Sequence, residues 1–184
     1  MYCLILYLKE IKMINSNKIY FITSPLGQYN HWCLDKLKTL FHFDDNNKIY
    51  FRFGTMIRLD LPPIYNHYDR ISLVINDQIS NFHNTNFFYY GWEIIPCLDE
   101  LYENFPGSEF LLAVNNLDNA ALEAIEKGKM GKTVDRSILP KIAEDQKNSI
   151  NSFIKGKICT ARLREKKSDD GIIEKSITTY HLKS

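Results

Sequence analysis

Short apolar runs edged by turn residues alternate along this chain with segments whose apolar positions recur every three or four residues. That alternation restricts the fold more than any other feature, because strand-turn-helix repeats build an α/β layer structure. The first unit is the clearest. Ile19-Tyr20-Phe21-Ile22 breaks into Thr23-Ser24-Pro25-Leu26-Gly27-Gln28-Tyr29-Asn30. A helical pattern follows, with Trp32, Cys33, Leu37, Leu40 and Phe41 on one side and Asp35, Lys36 and Lys38 opposite. Three further runs read as strands: Lys48 to Phe53, Arg70 to Ile75 ending in Asn76-Asp77, and Glu109 to Val114 ending in Asn115-Asn116. Runs this continuously apolar suit strands covered on both faces, as in parallel sheets.

Helical spacing continues from Trp92 or Pro96 to Asn104, where Pro106-Gly107 stops it, from Asn119 to Lys127, and from Ile138 to Ile154. The long stretches Gly54 to Asp69 and Gln78 to Tyr90 read as loops. Near the end, Thr160 to Arg164 and Ile172 to Tyr180 flank Ser168-Asp169-Asp170-Gly171, and Asp-Gly between such segments signals a β-hairpin. The expectation is a single α/β domain over residues 1–184, three-layered and Rossmann-like. Its sheet is mostly parallel, with helices on both faces and a C-terminal β-hairpin at 160–182. Met1 to Leu8 is apolar but lacks the basic flank and cleavage site of a signal peptide. It reads as an edge strand, or residues 1–12 extend upstream of a natural start at Met13.

Composition mainly excludes. With 45% hydrophobic residues, 24% charged and 11 each of Tyr and Phe, the 184-residue chain is globular rather than disordered. Net charge is +1, yet residues 121–184 hold 14 Lys/Arg against 9 Asp/Glu, leaving 9 against 13 before them. A basic tail could meet nucleic acid or an acidic partner, but an excess of that size reads more often as a solvated surface, and nucleic acid is the weaker expectation. Four widely spaced cysteines (3, 33, 97 and 159) form no CxxC pair, which argues against a structural metal and for reduced thiols in a cytoplasmic protein. No cofactor, metal or membrane association is expected.

Three places could carry chemistry. In the turn after the first strand, free helix amides near Ser24, Gly27, Gln28 and Asn30 would cradle an anion, with His31 as donor or general acid. Asn30 equally serves as a helix cap. Gly128-Lys129-Met130-Gly131-Lys132-Thr133 ends like a phosphate loop but has Glu126 where its first glycine belongs, and it follows a helix. It is rejected. The third group is Asn76, Asp77, His83, Glu93 and Asn115-Asn116, whose two Asn/Asp pairs a parallel sheet would set on the same rim as the first turn. Asp77 or Glu93 would then act as base or nucleophile. The aromatic cluster Phe82, Phe87, Phe88, Tyr89, Tyr90 and Trp92 could stack a base or sugar or form a partner-binding patch, but core packing between loop and helix is the stronger explanation.

Two partial resemblances touch these residues. Lys18 to Phe21, Ser24 to Gly27 and Asp69 to Ile75 together resemble the opening of nucleoside deoxyribosyltransferase-like proteins. That family places an acidic catalytic residue downstream of a glycine-containing loop. Gly91-Trp92-Glu93 is similar, without the Asp-x-Gly context. Ser24-Pro25 with His31-Trp32 is similar to the phosphosulfate loop of sulfotransferases, without its basic and glycine-threonine residues. Each covers less than half the chain, and neither transfers a catalytic residue. The functional expectation is a small anionic or nucleotide-like ligand at the Ser24–His31 turn, in a transferase or glycosidase-type enzyme. The alternative is a non-enzymatic module that binds a protein partner, such as an immunity protein, inhibitor or regulator.

Overall fold

The computed structural model describes residues 17–23, 48–53, 62, 64–91, 93–117 and 139–184. Six strands form one sheet in the order β2-β3-β1-β4-β6-β5. They are β1 Lys18–Ile22, β2 Lys48–Phe53, β3 Thr85–Tyr90, β4 Glu109–Asn115, β5 Thr160–Lys167 and β6 Ile173–Lys183. The first four run parallel. β6 runs antiparallel to both β4 and β5. The described helices are α1 His67–Asn81, α2 Leu98–Asn104 preceded by a 3-10 turn at Ile95–Cys97, and α3 Leu139–Ile154. None of them is long and apolar enough to cross a membrane. The mixed α/β class and the mostly parallel sheet agree with the sequence. The order on the β2 side differs from the common doubly wound orders, because β2 lies at the edge and β3 beside β1.

Two sequence assignments are corrected. Arg70 to Ile75 is not a strand but the middle of α1. The buried residues Ile71, Val74, Ile75 and Gln78 repeat at three and four, the helical period. A capping box starts the helix: the Asn66 side chain accepts from Asp69 N at 2.7 Å, and the Asp69 carboxylate accepts from Asn66 N at 3.3 Å. The second correction is the loop assigned to Gln78–Tyr90, which contains α1's last turn and strand β3. Phe87, Phe88 and Tyr89 are all fully buried, so this aromatic run is sheet core and not a stacking platform. The helices assigned to His31–Phe41 and Asn119–Lys127, the segment 1–12 and the Gly128–Thr133 loop lie outside the described residues.

Alternation along the strands gives the sheet two apolar faces. One carries Phe21, Phe87, Tyr89, Phe110, Leu112 and Leu182, packed with Ile71 and Ile75 of α1, Leu98 and Leu101 of α2, and Ile150 and Phe153 of α3. Aromatic rings fill its centre, Phe21 lying 5.0 Å from Phe110 and 5.9 Å from Tyr89. The other face carries Tyr20, Ile22, Phe88, Leu111 and Ala113, all buried, with Tyr20 stacked on Phe88 at 4.8 Å. Burial, and secondarily the charge of Glu109, pushes the Tyr20 phenol up to about 12. Glu109 itself is held below the usual carboxylate range, chiefly by its hydrogen bond from His181 Nε2 at 3.1 Å.

Asn86 also lies on this second face, 1% exposed, and neither its amide nitrogen nor its oxygen has a hydrogen-bond partner among the described residues. A buried amide left unpaired costs about 1–3 kcal/mol. Replacing Asn86 by Leu, which is close in size, is therefore expected to raise stability by about that amount in a urea titration. A lower urea midpoint would show that the amide is satisfied in solution.

Candidate functional site

The chain reverses direction across the sheet at β1. From β1 it passes outward beyond β3 to reach β2, and from β3 it crosses back over β1 to reach β4. In parallel α/β sheets, such a reversal leaves a crevice at the carboxyl ends of the strands, the usual place for a ligand. Here that rim is formed by Ile22-Thr23, Gly91 and Asn115.

The rim is tightly bonded below its surface. Thr23 N donates to Leu111 O at 3.0 Å, and the Thr23 hydroxyl accepts from Ala113 N at 3.1 Å. On the other side Gly91 N donates to Ile22 O at 3.2 Å. Ile22 is thus pinned to β3 and Thr23 to β4, where the described part of this first unit ends. Ser24, Gly27, Gln28, Asn30 and His31 themselves lie outside the described residues.

Glu93 stands at the same rim. Its carboxylate lies against the α-carbon of Gly91, in space that any larger residue's Cβ would fill. The first residue of α1, His67, donates through Nε2 to the Glu93 backbone carbonyl, which also takes the Cys97 thiol at 3.6 Å. These contacts fix the turn while leaving the half-buried Glu93 carboxylate directed at the rim backbone. Cys97 is no nucleophile. Burial, with help from Glu100, pushes its thiol up to about 12, so it stays protonated at neutral pH.

Asn115 ends β4 with its side-chain oxygen accepting from Leu117 N at 3.0 Å. This is an Asx turn, and it spends the oxygen on strand termination while its amide hydrogens meet no partner among the described residues. The adjacent Asn116 is engaged across the sheet, donating from Nδ2 to Thr178 Oγ1 at 2.8 Å and from its backbone N to Ser176 O at 2.8 Å.

Asn76 and Asp77 sit elsewhere. The strand that was to carry them to the rim is α1, and both are exposed on its outer side. Asp77 follows His67 by ten residues, which sets it about 15 Å along the helix from the rim. The far end of α1 is tied to the opposite edge of the sheet, where Asn17 Nδ2 donates to Phe82 O at 2.8 Å. Asp77 and Glu93 therefore do not converge. Sequence reasoning did not single out His67 or Thr23. Neither has a motif signal, and His67 gains its place only once α1 is recognised as a helix.

A separate groove of about 360 Å³ lies on the helical side, between the Ile95–Leu98 segment and Ser149, Ser152 and Phe153 of α3. Its one charged lining group, Asp99, is paired with Lys157 at 3.2 Å. No group of three or more His, Cys, Asp or Glu suited to a metal gathers among the described residues.

No known protein family matches the chain, and no curated protein is similar to it. Among solved structures, the O-methyltransferase TomG from Streptomyces achromogenes, involved in tomaymycin synthesis and crystallised with SAM, is similar over 98% of this chain and 78% of its own. Identity is 10% and the TM-score 0.29, a likeness too loose to support an argument about activity.

Proposed function

We propose that this chain binds a small anionic or nucleotide-like ligand at the carboxyl ends of β1, β3 and β4. The reading rests on one observation, the reversal of strand order at β1 that opens this end of the sheet. In this proposal the Ser24–His31 turn supplies the anion cradle through Gly27, Gln28 and the backbone amides, with Ser24 and Asn30 adding polar contacts. Asn115 contributes its remaining amide hydrogens. His31 and Glu93 divide the proton work of a transferase or glycosidase-type reaction, whereas Asp77 and Asn76, displaced along α1, take no part. The domain is read as three-layered, since the second sheet face is buried although every described helix packs on the first.

A ligand that binds only the folded state stabilises it by about 2.7 kcal/mol at a hundred times its Kd. Thermal melts with ATP, ADP, a sugar phosphate and sulfate should therefore show a rise for at least one of them, lost in the His31→Ala and Ser24→Ala variants. Flat melts across the set would remove the proposal. The second reading, a protein-binding module without catalysis, is favoured by the exposed Ile158, Leu163 and Ile172 near the C-terminal strands. Failure to recover a stoichiometric partner from the native host would count against it.

A further inference from the structure

The β5–β6 ribbon carries an arrangement that the rim does not use. Residues opposite one another in an antiparallel pair point to the same side. The rungs Arg162–Thr179, Arg164–Ile177 and Lys166–Lys175 alternate with Ala161–Tyr180, Leu163–Thr178 and Glu165–Ser176. Tyr180 packs against the helix-covered core, so the second set belongs to that side and the first set to the opposite one. On this opposite side, beyond the Thr160–His181 rung whose imidazole is paired with Glu109, the charged members of the rungs are all cations: Arg162, Arg164, Lys166 and Lys175. Lys166 meets Glu174 at 3.6 Å in an exposed pair, and such a pair restrains the lysine little. Arg162, Arg164 and Lys175 have no ion pair among the described residues. Every residue of β5 is exposed.

The ribbon also projects. Pairing of β6 with β4 stops at Ile177, opposite Arg164, so the part from Glu165 to Lys175 extends past that pairing. Charge on an open strand guards against edge pairing, a task either sign would perform on either side. That explanation does not account for Arg162, Arg164, Lys166 and Lys175 sharing one side, where Glu174 reaches Lys166, with Glu165 on the other.

The chemistry of this side selects its partner. Among the described residues its rungs hold no Phe, Tyr or Trp and one apolar member, Ile177, whereas protein interfaces depend on aromatic and apolar anchors. Single-stranded nucleic acid calls for stacking rings, which are also missing here. What remains is guanidinium, ammonium and the hydroxyls of Thr160 and Thr179, the groups that contact phosphate. Same-side residues on a strand recur about every 6.7 Å, and a two-stranded ribbon fits the major groove of B-form DNA but not the narrow one of A-form RNA. We propose that this side of the C-terminal ribbon binds double-stranded DNA through its phosphates, independently of sequence and of any ligand at the rim. Part of the charge excess of residues 121–184 is thus gathered on one side of the ribbon.

Fluorescence anisotropy with a labelled random-sequence duplex tests this on the full chain. With about 0.9 counterions released per phosphate, four contacts give a log–log salt slope of about −3 to −4. The Arg162→Gln/Arg164→Gln/Lys175→Gln variant should fall to a slope of about −1 with at least a tenfold loss of affinity at low salt. Lys155→Gln, an exposed cation just after α3, should change affinity less than about twofold. Melting curves of both variants confirm that the fold is kept. No binding at about 50 mM salt, equal losses in both variants, or tighter binding to single-stranded DNA would overturn the proposal.

Discussion

Phe21→Ala is expected to destabilise the protein by about 3–5 kcal/mol, enough to unfold a marginally stable domain near physiological temperature. Phe21 lies in the central strand, fully buried, with Phe110, Tyr89 and Phe105 ringed around it at centroid distances of 5.0, 5.9 and 6.1 Å. Removing the ring forfeits its transfer energy and leaves a cavity between sheet and helices. Neighbouring aromatic rings are poor at closing such a gap, because their rotamers are already fixed by one another. Urea unfolding of wild type and variant measures the loss, and a cost below about 1 kcal/mol would show that the sheet's helical side is not packed as described.

The second large effect separates the observed α1 from the strand suggested by its sequence. Ile75→Ala should cost about 2–5 kcal/mol, since Ile75 is fully buried in the core. Leu73→Ala should cost about 1 kcal/mol or less, because Leu73 is 40% exposed on the helix flank. In a strand, Leu73 would share a side with Ile71 and Ile75, and the two substitutions would be equally damaging. Comparable losses at 73 and 75 would therefore contradict the helix.

Much of the architecture was legible in local pattern. β1, β2 and β4 show as apolar runs between turn residues, and α2 and α3 show the three-and-four spacing with breakers at Pro106-Gly107 and Gly156. The errors share one cause. In Arg70 to Ile75, a six-residue window holds too little of the helical period, and Ile and Val favour strands by propensity. The decisive signal was Asn66 with Asp69, a cap that becomes visible only when the window is extended backwards. Misplacing that helix as a strand then displaced β3 into a loop, although Phe87-Phe88-Tyr89 is the continuous apolar run that a doubly covered strand requires. The site inherited both mistakes. Glu93 and Asn115 stay at the rim because the strands before them end there, while Asp77 and Asn76 leave it because their element is helical. Strand order cannot be read from local pattern, so the reversal at β1 emerges only from the folded sheet.

Backbone amide mapping tests the rim most directly. On titration with the nucleotide or anion that raises the melting point, the proton–nitrogen resonances of Thr23, Gly91, Glu93 and Asn115 should shift together and saturate at one Kd. Shifts confined to the groove around Asp99 and Ser152, with the rim amides unchanged, would contradict the account.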